Sequence, residues 1–545
     1  MRHDEPERAG GERTLLAALL LLIAVVWLEP AGSFLAEPDE TRYAEIPREM
    51  LAARDLVVPR LNGVPYFEKP PLLYWLNAAA FGIFGETPWA ARLPTRLAGI
   101  ATMLLVVLAA RRAGGGAGLA AGVLFLAAPM GFLFSRTNLT DGLLTFFFTA
   151  TLLAGREAVL RREQGRAWMT MSALAGAAAA GGFLTKGLIA IVLPGAILFL
   201  WSLATRRLGI LLRALLLAPA PPVFLALAAP WFFLVERRHP GFLDFFFIRE
   251  HLQRFATGAA KRPGPVYYFV PVFLLGFLAG LPFFVSGIRR AWRRDSEGFF
   301  FLVWFAVVFV FFSLSQSKLP PYLFPAIPAA AVLAARGLPR DGARRLWIAH
   351  ALLATALAAA VLLVPELRAE ARRLELVGIV APLLAALVIA SWAAVLFAGR
   401  STVLALTAAG AGWAAFFAAV AFGWPQMPQA RFPVELAAAA REAAVPRRAV
   451  IVGYRTYLNG VSWELKSPIP VADYRGELEP DFETRPEVRE ALFWSREKFW
   501  EVWKSRKPLV ALVRMKDLVE MMTATPRARV LRWTQKHAVV ANFPE

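Results

Sequence analysis

The sequence predicts a polytopic α-helical membrane domain over residues 1–424, followed by a small soluble α/β domain over residues 425–545. Three observations carry that expectation. Apolar runs of membrane-spanning length recur through the first part, basic clusters fall in alternate connections between them, and the long apolar runs stop near Pro425. The chain has 545 residues, of which 58% are hydrophobic and only 18% charged, with mean hydropathy +0.51. That is far more apolar than an ordinary soluble domain.

The apolar runs start near Thr14, Ala90, Ala117, Leu139, Ala167, Gly187, Ile210, Tyr267, Gly298, Pro321, Leu346, Val377 and Val403. At roughly twenty residues each they give about thirteen spans, although the runs flanking Thr185-Lys186-Gly187 also fit short re-entrant or buried helices. Arg111-Arg112, Arg156 with Arg161-Arg162 and Arg166, Arg206-Arg207, Arg289-Arg290 with Arg293-Arg294, and Arg336 to Arg345 lie between alternate runs. The positive-inside rule makes those connections cytoplasmic. The N-terminus then starts inside, while segments 30–89 and 235–266, the Gln316–Pro320 turn and the C-terminal domain lie outside. Thr14 to Trp27 also has the length of a signal-peptide core, with small residues near Ser33 to Ala36, but its leader mixes Asp4, Glu5 and Glu7 with arginines.

The formal net charge of +20 does not point to nucleic acid, because the basic residues cluster between spans rather than on one face or stripe. With no cysteine, disulfides, thiolate metal sites and thiol nucleophiles are excluded.

The first outer segment opens with EPDETRYAEIPREM, Glu37 to Met50, which holds seven charged side chains. Pro38 suits a helix start at Asp39 and Glu40, where carboxylates meet the positive end of the helix dipole, so two acids are expected at a membrane surface. Asn62 to Gly85 follows, with a turn, the pair Glu68 and Lys69, and an aromatic-rich run from Pro71 to Phe84 that reads as an interfacial helix. Glu68 and Lys69 fit a solvated ion pair; alternatively, Lys69 presents its cation to a lipid phosphate.

Asp141, Lys186 and Lys318 are further lone charges at expected helix ends on the outer side. Each alone fits snorkelling or capping, whereas together with Lys69 they fit an anion-binding rim around a cavity. Phe242 to Phe255 reads as a second interfacial helix with Arg249, Glu250, His251 and Arg254. Glu250 and Arg254 have the spacing of an intrahelical ion pair, and His251 is a packing residue, a base or a metal ligand.

In the tail, Ala449 to Tyr454 and Leu509 to Arg514 read as strands and Arg489 to Lys504 as an amphipathic helix, with no glycine-rich phosphate loop. No Ser-His-Asp spacing, HExxH, Walker A motif or GxGxxG following a strand stands out. An outer-face enzyme without a nucleotide site needs a donor activated on a lipid. A lipid or solute transporter also fits the spans and basic loops, but no repeated halves are visible.

EPDETRYAEIPREM, YFEKPPLLYW, Thr140-Asp141, LTKG, REHLQRF and SKLPPYLFPAIP occur in an order that resembles the bacterial 4-amino-4-deoxy-L-arabinose transferases of lipid A. Those enzymes fall within the GT-C glycosyltransferase superfamily, with the protein O-mannosyltransferases. The resemblance covers nearly the whole chain, to the final AVVANF, Ala538 to Phe543. It implies a GT-C fold and an inverting transfer of aminoarabinose from undecaprenyl phosphate to a lipid A phosphate at the periplasmic face of the inner membrane, by a monomer. A protein hydroxyl or another glycan is the alternative acceptor.

The same resemblance implies Asp39, or Glu40, as the acid of the first outer loop and Asp141 as the second acid. Lys69, Arg254, Lys318 and Lys186 are implied as phosphate-binding cations, with Tyr322 and Tyr66 as hydrogen-bond donors. It also implies a structural divalent metal, such as zinc, between Glu68 and His251, with no metal required for the transfer. The second prolines of YFEKPPLLYW and SKLPPYLFP depart from the family pattern. Those changes keep the ionic residues and bear on which sugar and acceptor fit.

Overall fold

The computed structural model describes residues 4–30, 33–114, 116–217, 219–253, 263–292, 297–339, 344–365, 369, 377–423 and 428–544. They form two compact units. One holds residues 1–30, 92–236 and 241–423, and the other residues 31–91, 237–240 and 424–545.

The first unit is helical. Its early elements are α1 (Asp4–Trp27), then, after the first outer segment's α2 (Asp39–Ala52), β1 (Arg60–Leu61), β2 (Val64–Pro65) and α3 (Leu72–Phe84), the long α4 (Pro88–Ala110). There follow α5 (Ala117–Ala127), α6 (Pro129–Phe134), α7 (Thr140–Glu163), α8 (Met169–Lys186) and α9 (Ile189–Ala204). Among the described residues six helices are long and apolar enough to cross a membrane, or seven if the bent pair Val266–Gly276 and Leu278–Ala291 is one span. Every expected run begins at or near a helix, but Pro129 interrupts the run begun by α5, and α9 is short. Length alone therefore carries fewer spans than the sequence count.

Helix α4 shows how the unit meets its surroundings. Leu97, Leu104 and Leu108 share one face and are half exposed, as suits contact with lipid tails, whereas Arg96, Thr102, Met103 and Val106 on the other face are buried. The interior is aromatic. Phe132 stacks on Phe417 with centroids 4.2 Å apart, and Trp304, Trp347 and Trp413 are fully buried. Small residues allow close helix contact where it matters: a side chain at Gly287 would strike the Leu333 carbonyl, and one at Gly337 the Phe283 carbonyl.

The second unit combines residues 31–91 with the C-terminal residues. Asn62 and Gly63, at φ 53° and 77°, close the β1–β2 hairpin, as an Asn-Gly turn does. Asn62 then clamps Ile469 by accepting from its N–H at 2.8 Å and donating to its carbonyl at 2.9 Å. The tail sheet contains β3 (Val450–Tyr454), β4 (Val471–Ala472), β5 (Phe493–Trp494), β6 (Leu509–Arg514), β7 (Arg529–Trp533) and β8 (His537–Ala541) in the order β5-β4-β3-β6-β8-β7. Strands β3 to β6 pair in parallel, and β8 pairs antiparallel to β6 and β7. Tyr454 stacks on Phe499 with centroids 4.4 Å apart, and Phe499 and Trp503 are fully buried beneath the sheet.

Two sequence expectations need correction here. The helix expected over Arg489 to Lys504 is broken into Pro486–Leu492 and Arg496–Lys504 by β5. Ser495 caps the second piece by accepting from the Lys498 N–H at 3.1 Å, and the pairing of β5 with β4 overrides the continuous apolar spacing. Tyr74, in the run expected to lie as an interfacial helix, is instead fully buried against Tyr43.

Candidate active site

Helix α2 starts at Asp39 as its Pro38-Asp39-Glu40 sequence dictates. It is no surface helix: Glu40, Tyr43, Glu45, Arg48 and Glu49 are all buried, because it packs on α3 and on Asn459–Leu465. Of the two expected surface acids, Glu40 folds back onto the Ala36 N–H at 3.0 Å and is 2% exposed. Asp39 keeps 45% of its side chain exposed, holding Arg42 at 3.1 Å, so it is the acid available to a substrate.

The residues around Asp39 are fixed from below. Glu37 accepts hydrogen bonds from Thr41 at 2.8 Å, the Asn459 N–H at 2.9 Å and the Gly460 N–H at 2.7 Å. Burial raises its carboxyl above the usual range, although those three donors pull the other way. Arg42 is clamped on its far side by Glu477. Tyr66, 1% exposed, lies in the field of Arg42, and its hydroxyl has no hydrogen-bond partner among the described residues. Burial drives that phenol well above its ordinary range, so it stays a donor.

Lys69 donates to the Glu68 carbonyl at 2.9 Å and stands 4.0 Å from the Glu68 carboxylate, both side chains being about one-fifth exposed. The expected ion pair is therefore loose and sheltered. Deeper in the unit, Glu49 accepts from the Asn62 and Gly63 N–H groups at 2.7 and 2.8 Å, and burial with the nearby Glu45 pushes its carboxyl up to about 8. Burial also acts to raise Glu483, but hydrogen bonds from Arg485 and Arg60 outweigh it and bring that carboxyl down to about 2.

In the membrane unit, Asp141 sits in the first turn of α7 and Lys186 in the last turn of α8. They meet at 2.6 Å with side chains 9% and 15% exposed. The Lys186 ammonium also lies 5.2 Å above the Tyr322 ring. A side chain at Gly142 would come within 2.6 Å of the Phe134 carbonyl, so glycine next to Asp141 lets the helix start approach α6 closely. Lys318 behaves differently. It is 6% exposed and donates to the carbonyls of Phe312, Ser313 and Ser315 at 3.3, 2.7 and 2.7 Å, closing the C-terminal end of Glu297–Leu314. Those carbonyls match its three donors. The capping role weighed for this residue is thus the one seen.

Asp39, Glu40, Tyr66, Glu68 and Lys69 lie in one unit, and Asp141, Lys186, Lys318 and Tyr322 in the other. Arg254 and the side chain of His251 lie outside the described residues. Among the described residues no group of three or more His, Asp or Glu side chains is arranged to hold a metal, so the Glu68 and His251 pairing stands on the resemblance alone.

Sequence reading missed a second ionic group in the membrane unit. Glu29 accepts from Arg92 at 2.5 Å and also holds Arg96, and both arginines are at most 2% exposed. Arg136 donates to the neighbouring Leu28 carbonyl at 2.9 Å. The signal was present: two arginines four apart inside an apolar run face inward unless they have reason not to.

The helical membrane unit and the tail sheet match the GT-C fold that the resemblance implies. Residues 68–233 match the family profile described as dolichyl-phosphate-mannose-protein mannosyltransferase. The chain is 34% identical over 328 residues to the undecaprenyl phosphate-alpha-4-amino-4-deoxy-L-arabinose arabinosyl transferase of Edwardsiella ictaluri, covering 59% of this chain and 58% of that protein. It spans somewhat over half the length of the curated relatives it matches. Its structure is similar to ArnT from Cupriavidus metallidurans in the apo state, with TM-score 0.83, 29% identity and 97% of each chain covered. The form of that ArnT bound to undecaprenyl phosphate matches at TM-score 0.82 over the same shares. The resemblance drawn from the motifs, to the aminoarabinose transferases, is borne out.

Proposed function

We propose that this protein is an inner-membrane glycosyltransferase that moves 4-amino-4-deoxy-L-arabinose from undecaprenyl phosphate to a lipid A phosphate at the periplasmic face. The likeness over 97% of both chains to ArnT bound to undecaprenyl phosphate carries this reading. The basic connections between spans support a cytoplasmic N-terminus and a periplasmic C-terminal domain.

A phosphate oxygen of lipid A attacks the anomeric carbon from the face opposite the donor linkage. The bond from that carbon to the donor phosphate breaks, and undecaprenyl phosphate leaves with the electron pair. An anionic nucleophile needs no proton acceptor, so Asp39 orients the sugar and pairs with its ammonium group. Charge growing on the leaving phosphate is met by fixed cations, which stabilise it most where water is scarce. The resemblance gives that charge to Lys69 and Arg254, with Tyr66 and Tyr322 as hydrogen-bond donors. Lys186 is aimed by Asp141, and Lys318 holds the turn that carries Tyr322.

The match to a mannosyltransferase profile favours, as second reading, transfer to a protein hydroxyl. Asp39 then takes the hydroxyl proton as general base. Mass spectra of lipid A and of envelope proteins, from cells with and without the gene, separate the two. The first reading requires aminoarabinose on lipid A only when the gene is present.

A further inference from the structure

At the end of the membrane unit away from Asp141 and Lys186 lies a cavity of about 720 Å³. Two helices show the separation. Helix α5 begins in the cavity wall at Ala117, and the chain reaches Asp141 only after α6. The helix Ile327–Gly337 follows the turn that holds Tyr322 and ends in the same wall at Arg336. Each helix has 11 residues, and so sets the two ends apart by about 16 Å along its axis.

Arg290, Arg336 and Arg400 line the cavity with Ser401 and Thr402. No carboxylate stands among its described lining residues. Arg290 is fixed by donating to the carbonyls of Arg336 and Leu338 at 2.6 and 3.2 Å, and has no ion-pair partner among the described residues. Arg336 reaches Glu297 only at 3.5 Å. Arg400 is exposed and has no ion-pair partner among the described residues. Arg344 adds a fourth guanidinium at the rim, packed so closely on Gly399 that a β-carbon there would collide with it.

The surroundings are those of a membrane edge. Buried Leu15 and Leu406 give the cavity an apolar floor, while Leu396 and Leu404, four residues either side of Arg400, are exposed. Arginine forks match phosphate oxygens, and basic pockets between membrane helices take anionic lipid headgroups. We infer that this cavity binds the phosphate diester of an anionic phospholipid, its acyl chains lying along the exposed apolar flank. A free phosphate ion shares the anion chemistry but has no use for that flank.

The test uses full-length protein, delipidated in a non-ionic detergent, with thermal unfolding and native mass spectrometry as readouts. Phosphatidylglycerol, phosphatidylethanolamine and inorganic phosphate are added separately to the wild type, to Arg336→Gln/Arg400→Gln, and to Arg206→Gln as a control in another basic connection. Phosphatidylglycerol is expected to stay bound and raise the melting temperature, phosphatidylethanolamine much less. The double variant should bind about thirty-fold more weakly, each surface arginine contributing about a factor of five, and the control should match the wild type. If the double variant does not fold, Arg400→Gln alone should bind about fivefold more weakly. Equal binding by wild type and folded variant overturns the inference, as does stabilisation by inorganic phosphate without any by phosphatidylglycerol.

Discussion

Lys186, at the C-terminal end of α8, donates a 2.6 Å hydrogen bond to Asp141 in the first turn of α7. Each charge lies at the helix end whose dipole it complements, and the two consecutive helices are tied together where those ends meet. Removing one partner leaves the other buried without compensation. Asp141→Leu or Lys186→Met alone should therefore cost about 3–5 kcal/mol, and the double variant should recover much of it. Thermal unfolding in detergent checks this, and additive losses in the double variant contradict it.

Glu37 ties α2 to Asn459–Leu465 through two backbone N–H groups. Glu37→Ala strands both donors and should destabilise by about 1–3 kcal/mol for each, whereas Glu37→Gln keeps one acceptor oxygen and should lose less. The order Ala worse than Gln in melting temperature is the readout. Equal losses would mean that the acceptor role is not what Glu37 contributes.

Glu49 and Glu483 give the second unit opposite pH responses. The Glu49 carboxyl is raised to about 8, so the folded state holds its proton longer than the unfolded chain does. Stability should then fall as pH rises from about 4.5 to about 8 and level off above. Glu483 is lowered to about 2, so its contribution is complete above about 4.5 and is lost as pH falls toward 2. Unfolding followed against pH should show the neutral slope disappear in Glu49→Gln and the acid limb flatten in Glu483→Gln. Unchanged slopes in both variants would remove this assignment.

Lys318 caps a helix, while Lys69 carries a cation in the first outer segment. Lys318→Met should lower the melting temperature by the loss of a helix C-terminal cation, about 0.3–2 kcal/mol, and reduce kcat through a displaced Tyr322. Lys69→Met should lower kcat, because its charge meets the leaving phosphate as the bond breaks, and leave the melting temperature nearly unchanged. Steady-state kinetics together with thermal unfolding separates the roles, and a larger loss of melting temperature at Lys69 than at Lys318 reverses them.

The legible parts of this molecule were those written in local sequence. Pro38-Asp39-Glu40 announced the start of α2, short apolar runs announced β3 and β6, and the run after Pro71 became α3. Asp141 and Lys186 could be picked out as charges at helix ends, but their pairing could not, because 45 residues separate them. The inward-facing Arg92 and Arg96 could be read from their spacing in an apolar run, but their partner Glu29 could not, because 63 and 67 residues separate it from them. The break at Phe493-Trp494 was missed because strand pairing with Val471 and Ala472, a tertiary contact, overrode helical spacing. Burial of α2 depended on the distant C-terminal residues that cover it.

The most direct measurement incubates purified full-length protein with undecaprenyl-phosphate aminoarabinose and lipid A, reading both products by mass. Transfer is expected to add one aminoarabinose to a lipid A phosphate and release undecaprenyl phosphate, with at least about a hundredfold loss of rate in Asp39→Asn and little loss in Arg206→Gln. Unmodified lipid A beside intact donor, or sugar found only on a protein hydroxyl, would contradict the assignment.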